Sequence, residues 1–69
     1  MIILLMTNSI RIRVKDNKVL TKIVRMVDGT PLQWTVLSDI YLFVEGEGGL
    51  LYELLYELTT IYPGKIKII

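Results

Sequence analysis

Few residues of this 69-residue chain have side chains able to do covalent or metal chemistry. It contains no His and no Cys, which removes the commonest general base, the commonest metal ligand, thiolate nucleophiles and disulfides. The carboxylates are Asp16, Asp28, Asp39, Glu45, Glu47, Glu53 and Glu57. Asp16 and Asp28 stand where turns are expected, a routine place for Asp. Glu45 and Glu47 share a glycine-rich segment but lack the ligand count of a calcium loop. Glu53 and Glu57 lie four apart on one helix face, and without a His partner they make a polar helix edge. Gly46-x-Gly48-Gly49 precedes a helix as a phosphate loop does, yet it lacks the Lys-Ser/Thr of that motif, and its acids repel phosphate. The expectation is a non-enzymatic chain with no catalytic residue, no metal and no cofactor.

Charge is more informative. Residues 1–34 carry +4 and residues 35–69 carry −3 of the net +1. Such asymmetry marks a nucleic-acid face or a head-to-tail interface, or else two solvated faces. Arg11 and Arg13 alternate with Ile10, Ile12 and Val14, and Lys65 and Lys67 alternate with Ile66 and Ile68. Period two puts these four cations on one side of two strands. Lys18, Lys22 and Arg25 recur at helical spacing. The expected nucleic-acid surface is therefore Arg11, Arg13, Lys65 and Lys67, supported by Lys18, Lys22 and Arg25. Its contacts would go chiefly to phosphates, with double-stranded DNA as the partner.

These side chains are positioned by elements that the hydrophobic pattern marks out. Residues 10–15 predict a strand. Val19, Leu20, Ile23, Val24 and Val27 form one face of a helix over 18–28, with Asn17 as its cap and Gly29 as its end. Asp28-Gly29 is also a hairpin dipeptide, which keeps a β-hairpin over 18–37 open. Thr30-Pro31-Leu32-Gln33 carries helix-start signals and predicts a second helix over 31–43, although Ile40–Val44 fits a strand equally well. Glu45–Gly49 has the composition of a flexible loop. Leu50, Leu51, Leu54, Leu55, Leu58 and Ile61 predict a third helix over 49–61, stopped by Pro63-Gly64. A strand over 65–69 comes last, and pairing it with the first makes a small sheet.

The spacing of Val19–Val27, the tight Asp28-Gly29-Thr30-Pro31 turn, Leu32–Ile40, and Leu50–Leu58 leading into Lys65–Ile69 together resemble the winged helix-turn-helix superfamily over residues 10–69. The resemblance implies an α+β fold: a compact three-helix domain with a small antiparallel sheet from the N- and C-terminal strands. It also implies DNA binding and transcription regulation through the helix at 50–60. That helix exposes Tyr52, Glu53, Tyr56 and Glu57 and no cation, so its acids would repel the phosphate backbone. Any DNA must then dock on the basic surface instead.

Hydrophobic residues make up 52% of the chain, more than one small core hides comfortably. Ordinary surface exposure is one outlet for the surplus. A homodimer or a second protein is the other, and it defines the alternative function of a structural interaction subunit. The expected interface is Ile2, Ile3, Leu4 and Leu5 together with Leu51, Leu55 and Leu58. Six apolar residues at the N-terminus fall short of a spanning helix or a signal-peptide core, so a cytoplasmic protein with no membrane partner is expected. The absence of Ala and Cys and the scarcity of Asn and Gln, beside abundant Ile, Lys and Glu, fit a thermophilic archaeal or viral source.

Overall fold

A computed structural model describes residues 7–69, which form four strands and two helices. In chain order these are β1 (Thr7–Val14), α1 (Asn17–Asp28), β2 (Gln33–Ser38), β3 (Tyr41–Glu47), α2 (Gly48–Ile61) and β4 (Ile66–Ile68). The strands make one antiparallel sheet in the order β2-β3-β1-β4. This β-α-β-β-α-β order, with β1 and β3 central, is the split-βαβ, ferredoxin-like topology. Both helices cover one face, α1 against β1 and β2, α2 against β1 and β3.

Alternation decides the two faces. On β1 and β3, Ile12, Val14, Leu42 and Val44 turn inward and are buried. They meet Val19, Leu20, Ile23 and Val27 of α1 and Leu51, Leu54 and Leu58 of α2 in one core. The residues between them, Arg11, Arg13, Tyr41 and Phe43, occupy the face that neither helix covers.

The three-helix, winged-helix-like architecture is not what forms. Residues 31–43 are not a helix; they supply β2 and the start of β3, joined through Asp39-Ile40. The helix-start signals at Thr30 serve the preceding element instead. The Thr30 hydroxyl donates to the Val27 carbonyl at 2.6 Å and accepts from Leu32 N at 3.2 Å, closing α1 and turning the chain. Trp34, Thr35 and Val36, aromatic and β-branched, then favour an extended chain. Leu42 and Val44 alternate with Tyr41 and Phe43 as a strand requires. The sheet thus has four strands rather than the terminal pair alone, although that pair exists: Ile12, Arg13 and Val14 face Ile68, Lys67 and Ile66.

Two local expectations also change. Asp16, not Asn17, caps α1, its carboxylate accepting from Val19 N at 3.0 Å. The glycine-rich stretch 45–49 is not a loop: Glu45–Glu47 end β3 and Gly48-Gly49 begin α2. Glu47 bridges them, accepting from Gly49 N at 2.7 Å and Leu50 N at 3.2 Å. The hairpin reading of 18–37 is excluded by α1. The Ile2–Leu5 segment lies outside the described residues.

Candidate nucleic-acid interface

Strand register arranges the uncovered face in cross-strand rows. Thr35, Phe43 and Arg11 lie side by side across β2, β3 and β1, and Ile69 continues the row by donating its N–H to the Arg11 carbonyl at 2.8 Å. Ser38, Tyr41, Arg13 and Lys67 form the next row. Tyr41 and Phe43 are half-buried, whereas Arg11, Arg13 and Lys67 are exposed. The Arg13 guanidinium carbon lies 6.0 Å from the centre of the Tyr41 ring, the outer limit of a cation–π contact.

A register shift between Val36 and Ser38 adds Leu37 to the edge strand. With Arg11, Ser38, Tyr41 and Ile69 it lines a shallow depression of about 390 Å³. The surface offers two aromatic rings, an apolar floor and flanking cations. One row past Phe43 the same face carries Gln33, Glu45 and Ser9, which adds a single carboxylate. Among the described residues, no group of three or more His, Cys, Asp or Glu is placed to hold a metal.

The expected basic residues separate into two surfaces. Arg11, Arg13, Lys65 and Lys67 come together at the uncovered side of β1 and β4. Lys18, Lys22 and Arg25 are exposed on α1, in the layer that covers the opposite side of the sheet. They cannot share a ligand footprint with the strand cations on one flat contact. Leu51 and Leu58 lie inside the chain's own core at 3% and 0% exposure, and Leu55 is half-buried. The leucine stripe of α2 is therefore spent mainly on the sheet.

Sequence reasoning missed Tyr41 and Phe43. Their alternation with Leu42 and Val44 was the available signal, obscured by assigning Phe43 to a helical stripe. The Gly46–Gly49 phosphate-loop likeness also finds its answer, since the Glu47 carboxylate itself occupies the N-terminus of α2. Among the described residues, no helix is long and apolar enough to cross a membrane.

No protein-family model matches the chain, and no curated protein or solved structure matches it. The split-βαβ topology hosts many unrelated functions, so function has to be argued from the uncovered face.

Proposed function

We propose that this protein is a non-enzymatic module that binds single-stranded nucleic acid across the uncovered face of its sheet. The observation that carries the reading is the placement of Phe43 beside Arg11 and Tyr41 beside Arg13 on the two central strands. Aromatic platforms flanked by cations bind single strands by stacking bases and neutralising phosphates. Spacing favours a single strand over the duplex expected from the sequence. Side chains two residues apart on a strand are separated by about 6.8 Å, roughly twice the 3.4 Å per nucleotide of a duplex strand. Adjacent bases reach both rings only from an extended strand. Both helices lie on the other face of the sheet, so this one offers no helix to enter a groove.

The test is binding of labelled homopolymer oligonucleotides to wild-type protein, Tyr41→Ala and Phe43→Ala, with duplex of equal length as competitor. Single strands should be preferred, and each substitution should weaken binding by about 5- to 150-fold, the equivalent of about 1–3 kcal/mol per stacked base. Equal affinity for duplex and single strand, with Phe43→Ala silent, would overturn the reading.

A second reading rests on β2. Every residue of this edge strand is exposed, including Trp34, Val36 and Leu37, and open apolar edges pair with other strands. Antiparallel pairing of β2 with β2 of a second copy would make a homodimer with a continuous sheet. Val36→Lys should then convert a dimer to a monomer in light scattering. A wild-type protein that stays monomeric at about 100 micromolar, where micromolar association is complete, removes this reading.

A further inference from the structure

The row beyond Tyr41, Arg13 and Lys67 contains a second pair of cations. Lys15 N donates to the Lys65 carbonyl at 2.9 Å, which extends the β1–β4 register one step past the Arg13–Lys67 and Val14–Ile66 pairs. Alternation from Arg13 and Lys67 brings Lys15 and Lys65 to the uncovered side of the sheet. Two like-charged pairs therefore stand next to each other along two strands. Directly opposed side chains on neighbouring strands have Cβ atoms about 4.5–5.5 Å apart, and like charges so placed are destabilising.

These four residues line a shallow, open recess of about 260 Å³, with the chain at Val14, Ile66 and Gly64 completing its lining. No carboxylate is among the lining residues. Gly64 takes a left-handed conformation at φ 72°, which turns the chain into β4 and leaves this rim without a side chain. A short edge strand of three residues thus helps bring four exposed cations together with no acid among them.

We infer that this recess is a phosphate site that takes the terminal phosphomonoester of a bound strand. The inference rests on the single-strand reading above, because it places the site in line with the aromatic rows. Bases on Phe43 and Tyr41 bring the backbone to the Arg13–Lys67 row, and one further strand step of about 6.8 Å reaches Lys15 and Lys65. The number of cations selects the ligand. An internal phosphodiester brings one negative charge, whereas a terminal monoester brings about 1.5 to 2 together with three acceptor oxygens. Lysine ammonium groups suit such an anion as point charges, and Arg13 can contact it in bidentate fashion.

Oligonucleotides of one sequence, with a 5′-phosphate, a 3′-phosphate or hydroxyls at both ends, distinguish the possibilities by titration calorimetry. One phosphorylated form should bind about tenfold or more tightly than the hydroxyl-ended strand, the gain expected from new charge-assisted hydrogen bonds. In a Lys15→Ala/Lys65→Ala variant that advantage should vanish, while binding of the hydroxyl-ended strand should survive. Lys65→Glu should likewise abolish the advantage and raise the melting temperature of the free protein, since it turns one like pair into an opposite pair. If all three strands bind wild type alike, the end site is wrong and single-strand binding stands. If no strand binds but inorganic pyrophosphate raises the melting temperature in a Lys15- and Lys65-dependent way, the recess takes free phosphate and the nucleic-acid reading falls.

Discussion

Removing cations from two sides of one small protein should have unequal consequences for salt dependence. A single strand lying along the uncovered face would meet Arg11, Arg13 and Lys67, and Lys15 and Lys65 where it ends. Each neutralised phosphate contributes about −0.7 to the slope of log affinity against log salt for single strands, so three phosphates, at Arg11, at Arg13 with Lys67 and at Lys15 with Lys65, give about −2.1. A rise from about 50 to about 200 mM salt should then cost about 20-fold in affinity. Arg11→Ala/Arg13→Ala removes the first and weakens the second, flattening the slope to about −1.4 or shallower and the loss to about 7-fold. Lys18→Ala/Lys22→Ala/Arg25→Ala removes more charge, taking the net +1 to −2 rather than −1. Those side chains, however, face solvent from a helix about 10 Å thick on the other side of the sheet, beyond the Debye length of about 8 Å at physiological salt. Their slope should stay near about −2.1 and their affinity within about twofold of wild type. Fluorescence anisotropy of a labelled oligonucleotide at four salt concentrations measures both. A helix variant that flattens the slope as much as the strand pair does would place the ligand on α1 and refute the assignment of the face.

Glu47→Ala deletes the carboxylate that caps α2 and should lower stability by about 1 kcal/mol, read from a denaturant midpoint at unchanged slope. Leu42→Ala, at a fully buried central position, should cost about 2–5 kcal/mol in the same measurement, whereas Phe43→Ala next to it should cost clearly less and act on binding. Gly46→Ala should destabilise by about 1–3 kcal/mol, because Gly46 holds φ 156°, which side chains rarely adopt, and the added Cβ would lie 2.6 Å from Leu32 Cδ2. A thermal melt indistinguishable from wild type would refute both the backbone strain and the Leu32 contact.

Local periodicity made half of this fold legible. Over α1 the helical stripe competes with the Asp28-Gly29 hairpin signal, and the helix is what forms. β1 is legible because its apolar residues alternate, and shared alternation marks β1 and β4 as a pair. The helix over 49–61 was equally clear, since Leu51, Leu54 and Leu58 repeat at helical spacing. The middle of the chain was not. Thr30, Pro31 and Gln33 satisfy the local grammar of a helix start, and a cap signal cannot say whether it opens the next element or closes the last. Thr30 closes α1, and tertiary context makes the next segment a strand. Val44 faces Ile10 and Leu42 faces Ile12 on the central strand, contacts invisible to a window of a few residues. That the strand cations share one side is legible because alternation is local. Their separation from Lys18, Lys22 and Arg25 was hidden, since it depends on which face of the sheet the helices cover.

The junction of β3 with α2 has a mechanical meaning. Glu47 is at once the last residue of a central strand and the cap of the adjoining helix, so strand and helix meet without an intervening linker. A stretch whose glycines suggest a hinge is a joint with no slack. Bending β3 would have to drag the first turn of α2 out of register with its own cap, and α2 is in turn anchored by Leu51, Leu54 and Leu58 in the core. The rings of Tyr41 and Phe43 thus stand on a stiffened beam. On the single-strand reading proposed above, a base stacked on them would lose little to ordering the protein, and more of each contact would be retained as affinity.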